Sequence, residues 1–239
     1  MRFHWRILQE GQLSLRPRGA GVLSCEHRAT SVLVWPENEP PARGNTVVAD
    51  PCFTPRGFED AQRVLAGLGL TFHDVGQFFV THLHGDHMYH VLEPDGPWMI
   101  YPLRLDAMPA GMALVPCPGH EEDLDALAFS SAEDGEVWIV GDAILDEEWL
   151  RAWGYYWPNG YDYGEIEQTW RSVAAILSRA DLVVPGHGAP IRVTASLVKD
   201  LADGFPKAER SAECPAVPHM LAERLDRLLR ASGPSASGG

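Results

Sequence analysis

The chain predicts one α/β (α+β) domain over residues 1–230, followed by a flexible Gly/Ser tail at 231–239, and three observations carry this. A strand, a helix and a second strand succeed one another between residues 46 and 80, the βαβ order that packs a helix on the face of a sheet. A second set of short strand patterns follows after residue 90, and further helical patterns lie between and after those strands. The apolar fraction of 45% over 239 residues is ordinary for a globular chain and can supply a sizeable core.

Taken in order, FHWRIL (3–8), QLSL (12–15), GVLS (21–24), SVLVW (31–35) and TVVAD (46–50) are short apolar runs between Gly, Pro and Asn clusters, which predicts a strand meander. The stretch PENEPPARGN (36–45) cannot join a ladder and reads as an exposed hairpin loop. Thr54 and Pro55 look like the N-cap and first residue of a helix, with Phe58, Ala61, Leu65 and Leu68 at helical spacing and Gly67 and Gly69 at its end. QFFV (77–80) then reads as a buried strand. Beyond it WMIY (98–101), MALVP (112–116), DALAFS (125–130) and EVWIV (136–140) are strand patterns, the last two joined by a turn through Glu133, Asp134 and Gly135. Helices are expected at DEEWLRAW (146–153) and EIEQTWRSVAAILSRA (165–180), where Ile166, Trp170, Val173, Ala174 and Leu177 share a face. DLVV (181–184) reads as a further buried strand, and MLAERLDRLLR (220–230) as a closing helix.

Composition narrows the function classes. A formal net charge of -14 argues against broad affinity for nucleic acid or anionic membrane, both of which are held largely by Lys and Arg. Cys25, Cys52, Cys117 and Cys214 form no CxxC pair and are expected to be reduced thiols. The start, MRFHWRILQEGQ, lacks a signal-peptide pattern and no apolar run reaches transmembrane length, so a cytoplasmic protein is expected. A homodimer stays open.

The chemistry is concentrated where QFFV meets THLHGDHMYH. His82, His84, Asp86 and His87 follow a buried strand at once, and three imidazoles with a carboxylate in such a loop mean metal, because without a cation they would crowd one another. Three more apolar runs deliver a residue of ligand type: VPCPGH with His120, VWIVGD with Asp142 and LVVPGHG with His187. Each alone has an ordinary reading, a turn histidine or a helix N-cap. Their joint occurrence removes it. A Gly beside each lets backbone come close to whatever the residue holds.

The order HxHxDH, H, D, H resembles the metallo-β-lactamase fold superfamily, over roughly residues 20 to 195. The resemblance implies a four-layer αββα sandwich, two mixed β-sheets with outer helices, and a metal site at one edge. It also implies that His82, His84 and His120 hold one divalent metal ion, that Asp86, His87 and His187 hold another, and that Asp142 bridges them. Asp86 and Asp142 are then the catalytic carboxylates. Asp50 matches an acidic residue that braces the histidine loop, although a strand-ending turn explains it equally well on sequence alone. Two such ions about 3.5–4 Å apart clamp a shared water, lower its pKa and polarise the oxygen under attack, which makes a hydrolase. Imidazole and carboxylate without thiolate suit Zn2+, with Fe or Mn as alternatives. The β-lactamases proper place a Cys in the second site, so Asp142 disfavours antibiotic hydrolysis.

Two departures from the family pattern bear on substrate. Met88, Tyr89 and His90 put bulk after HxHxDH, where it should narrow the mouth or touch substrate. Glu121, Glu122 and Asp123 follow His120 and read first as a solvated turn. The run GYYWPNGYDYGEIEQTW (154–170) carries Tyr155, Tyr156, Trp157, Tyr161, Tyr163 and Trp170, which suit a substrate wall and core anchors equally. The leading expectation is a dinuclear hydrolase of a small-molecule ester, thioester or lactone. DLVVPGHGAPIRV also resembles the metallo-β-lactamase-domain-containing protein 1 type, which raises a phosphodiesterase or nuclease as the alternative; a nucleic-acid partner is disfavoured by the absence of a basic track. A mononuclear iron oxygenase of the persulfide dioxygenase kind shares the HxHxDH frame, and complete second-site residues weigh against it.

Overall fold

A computed structural model describes residues 1–17, 23, 25–88, 109–156 and 163–232. The first sheet has the order β1 (Phe3–Gln9), β2 (Ser31–Pro36), β3 (Val47–Ala49) and β4 (Gln77–Phe79). The first three strands pair antiparallel, and β4 lies parallel to β3, with Val48 opposite Phe78. A parallel neighbour requires a crossover, which α1 (Pro55–Gly67) supplies. Its N-cap is Thr54, whose hydroxyl accepts from Gly57 N, and Pro55 occupies the first turn, where a missing N–H costs nothing.

The second sheet runs β5 (Met112–Pro116), β6 (Asp125–Ser131), β7 (Gly135–Gly141), β8 (Leu182–Pro185) and β9 (Ile191–Arg192). Only β7 and β8 are parallel, and α2 (Glu147–Arg151) and α3 (Tyr163–Arg179) lie between them in sequence. The chain then adds α4 (Ala195–Gly204) and α5 (Ala216–Ser232).

Strand alternation builds the layers. In β2 and β3, Val32, Val34, Val47 and Ala49 face inward and meet Leu127, Phe129, Val137, Ile139 and Val184 of the second sheet. Leu33, Trp35 and Val48 point the other way, onto Ala61 and Leu65 of α1. On the far side Ala126, Ala128, Trp138, Val140 and Val183 pack beneath α3, α4 and α5, through Ile166, Trp170, Leu197, Leu201, Val217 and Leu221. The result is the expected four-layer αββα sandwich. Burying each Val, Leu or Phe of the middle layer stabilises it by about 1.5–3 kcal/mol.

Several local expectations change. QLSL forms isolated bridges at Gln12, which pairs with Arg28, and at Leu15, and no strand; Leu13 and Leu15 pack on Leu145 and Trp149, and the Trp149 indole donates to Leu15 O. The helix at DEEWLRAW covers only Glu147–Arg151, and the closing helix begins at Ala216 and continues through Ala231 and Ser232 of the expected tail. β9 is too short to carry a pattern, and α4, capped by Thr194 with Leu197, Val198 and Leu201 buried, adds a helix that was not expected. WMIY, most of GVLS, and residues 233–239 lie outside the described residues. No helix among the described residues is long and apolar enough to cross a membrane.

Candidate metal centre

The sandwich gathers one end of both sheets. The loop after β4 carries Thr81, His82, His84, Asp86 and His87, while the segments after β5, β7 and β8 bring His120, Asp142 and His187 to the same edge. All seven residues expected there by sequence meet in one place.

Their donor atoms form overlapping sets. His82 Nε2 and His120 Nε2 lie 3.0 and 2.9 Å from His84 Nδ1. Asp142 Oδ2 approaches the same group, at 3.4 Å from His120 Nε2 and 3.9 Å from His82 Nε2. Its other oxygen, Oδ1, lies 3.1 Å from His87 Nε2 and 3.2 Å from His187 Nε2. Within each of the sets His82–His84–His120–Asp142 and His87–Asp142–His187 the donors fall within 4.8 Å of one another, a spacing that could hold an ion. Asp86 is turned toward the mouth. Its Oδ2 is 3.5 Å from His187 Nε2 and groups with His187 and with His27.

Outer contacts fix which nitrogen each ring presents. Asp50 accepts from Thr81 N at 2.8 Å, from Thr81 Oγ1 at 3.0 Å and from His87 Nδ1 at 3.0 Å. Thr81, committed as donor to Asp50, accepts from His82 Nδ1 at 3.1 Å. His187 Nδ1 donates to Arg28 O at 3.0 Å. Each of these rings therefore turns an Nε2 lone pair inward, the orientation that an imidazole needs to ligate. Asp50 is thus the brace of the histidine loop, and it sits in the left-handed region at φ 46°, which Asp tolerates better than most residues. Glu121 lies in the expected solvated turn with exposed Glu122 and Asp123, and from there it places Oε1 2.6 Å from His84 Nε2. That contact leaves His84 Nδ1 for the cluster.

Electrostatics follow from burial and crowding. Burial, helped by the charge of His87, pushes the His82 imidazole down to about 2, and burial also lowers His120, so both are neutral and able to ligate. Burial opposes charge on Asp142, but His187 and His87 outweigh it and hold the carboxyl well below its ordinary range. His87 rises in turn, because Asp142 and Asp50 outweigh its own burial.

The residues fit a metal on an independent ground. His87 Nε2 and Asp142 Oδ1 are buried and, among the described residues, have no hydrogen-bond partner although they are 3.1 Å apart. The two atoms form an ion pair without hydrogen-bond geometry, both aimed at one buried point, and a cation at that point would satisfy them together. The glycines serve this crowding. A Cβ on Gly186 would stand 1.9 Å from Asp142 Oδ1, and Gly141, at φ 50°, would put one 2.3 Å from Thr81 Oγ1. They admit neighbouring side chains.

A cleft of ≈ 520 Å³ opens over the cluster, lined by Leu13, His27, Asp86, Leu145 and Tyr156 among others. The aromatic run divides. Tyr155 and Trp170 are anchors, their rings 5.8 Å apart and both bonded to Glu209, whereas Tyr156 is exposed on the cleft wall. Met88 is exposed beside the histidine loop. Tyr89, His90, Trp157 and Tyr161, and the Tyr163 side chain, lie outside what is described. His27 escaped the sequence reading, since a lone histidine between Glu26 and Arg28 carries no spacing signal.

No protein-family model matches the chain. It is 34% identical over 114 residues to metallo-beta-lactamase domain-containing protein 1 of Rattus norvegicus, a match covering 46% of this chain and 41% of that protein. The matched region therefore spans about two fifths of the relative's length. Among solved structures, a Thermotoga maritima protein assigned to the metallo-beta-lactamases superposes with a TM-score of 0.54 at 16% identity, covering 80% of this chain and 100% of that one. An N-acyl homoserine lactone hydrolase, with N-hexanoyl-L-homoserine bound at its catalytic metal centre, gives 0.50 at 13% identity over 78% of this chain and 93% of that one. The architecture is that of the metallo-β-lactamase fold.

Proposed function

We propose that this chain of metallo-β-lactamase fold is a dinuclear metal-dependent hydrolase of a small acyl substrate, an ester, thioester or lactone. The observation that carries the proposal is the placement of Asp142: Oδ2 faces His82 and His120, Oδ1 faces His87, and His187 Nε2 lies against both oxygens, 3.2 Å from Oδ1 and 3.3 Å from Oδ2. A carboxylate so placed would be able to serve two ions at once. Bound there, two divalent ions, Zn2+ by the chemistry of the donors, would supply an activated water and polarise the carbonyl under attack.

The chain's own residues account for the rest. His82, His84, His120 and Asp142 form the first position, with His87 and His187 sharing Asp142 at the second and Asp86 reaching in from the mouth side. Asp86, partly exposed on the cleft and near His187, is the carboxylate placed to carry a proton between water and leaving group. Leu13, Leu145 and Tyr156 give the cleft an apolar wall, and its volume lies in the range of small-molecule sites. The hydrolase with a bound acyl homoserine shares the fold and lends support to an acyl substrate. The net charge of -14 disfavours an extended polyanion.

A parallel assay of thioesters, lactones, bis-nitrophenyl phosphate and single-stranded RNA across a salt series tests this reading. Acyl hydrolysis that is abolished by a chelator and falls at least a hundredfold in Asp142→Ala is expected. Salt-sensitive RNA cleavage without acyl hydrolysis would replace it with the nuclease reading, and full activity in Asp142→Ala would end both.

A further inference from the structure

His27 stands apart from every motif, in the chain between β1 and β2, yet its ring reaches the mouth of the metal centre. Its Nε2 lies 2.8 Å from Asp86 Oδ2, and its ring centroid is 4.7 Å from that of His187 at an interplanar angle of 46°. Ser14 Oγ approaches Nδ1 at 3.4 Å. A hydroxyl donating to Nδ1 leaves the ring proton on Nε2, directed at the carboxylate.

We propose that His27 is a positioning residue of the second metal position, holding Asp86 by an Nε2–H···Oδ2 hydrogen bond while its ring lies against His187. This rests on the dinuclear reading above. The need for such a residue is visible in the geometry. His82, His87 and His187 are fixed by Thr81, Asp50 and Arg28 O, and Asp142 is buried among imidazoles. Asp86 has neither protection. It is partly exposed, on a loop, and among the described residues His27 provides its side-chain hydrogen bond. A ligand left free to rotate into solvent loses entropy on binding metal, so a partner that holds it in place raises affinity, typically by 10–100-fold.

Three variants separate the two contacts. His27→Ala removes both, His27→Gln keeps an N–H donor near Asp86 without the ring, and His27→Phe keeps a ring without the donor. Zn2+ affinity is measured by chelator competition on the full chain, with visible spectra of the Co2+-loaded protein reporting each position, and thermal unfolding of the loaded protein checks that folding is intact. The wild-type protein should take two equivalents. In His27→Ala and His27→Phe the weaker equivalent should loosen by about 10–100-fold with the tighter one unchanged, and His27→Gln should recover most of that loss. Two equivalents in the wild type with all three variants unchanged would overturn the role of His27 alone, as would a Gln variant as weak as Ala. A single equivalent in the wild type would overturn the dinuclear reading first, and the role of His27 with it.

Discussion

At Asp142 one carboxylate faces four imidazoles, His82, His87, His120 and His187, and is held anionic by two of them. The sequence makes such residues readable because they follow apolar strands, with His120, Asp142 and His187 each directly after a glycine, a pattern that survives without any structure. His27 and the Glu121 contact were beyond it: both depend on loops meeting across the fold, and neither has a spacing of its own. The cysteines show burial acting on single residues. Cys117 and Cys214 are buried, and burial pushes the Cys117 thiol up to about 12 and raises Cys214 as well. A raised pKa keeps the thiol protonated, so at pH 8 only roughly one in ten thousand Cys117 groups is thiolate. Titrating the native protein with Ellman's reagent at pH 8 should label Cys25 and Cys52 quickly and the other pair only on unfolding; four fast groups in the folded protein would contradict the buried placement.

Elements were easiest to read where period and length agreed. α1 had a cap, a proline and four apolar positions in register, and it forms where expected. QLSL had only alternation; among the described residues it forms isolated bridges in place of a strand, and its leucines pack on Trp149 and Leu145. β9 is two residues long, which no period can announce. The connection from β8 to His187 shows how an element end sets the site. Gly186 leaves room for Asp142, and a methyl group there would collide with Oδ1. Gly186→Ala should therefore weaken metal binding by about tenfold or more and lower stability by about 1–3 kcal/mol. Calorimetric metal titration together with thermal unfolding checks it, and wild-type affinity in that variant would mean that Asp142 has freedom the packing denies.

For the whole molecule, two sheets with helices outside bring four segments, distant in sequence, to one edge, and this long-range gathering could be named from the sequence only through family resemblance. Local patterns supplied strands and helices; which sheet edge faced which loop depended on the packing of β3 beside β4 and β7 beside β8. The seven donors and the cleft above them converge on one claim, that two metal ions share Asp142. Anomalous-difference diffraction at the zinc edge, on crystals of the Zn2+-loaded protein, tests it most directly. Two peaks are expected about 3.5–4 Å apart, one within reach of His82, His84 and His120, the other within reach of His87 and His187, with Asp142 between them. A single peak, or two that do not share Asp142, would contradict the account.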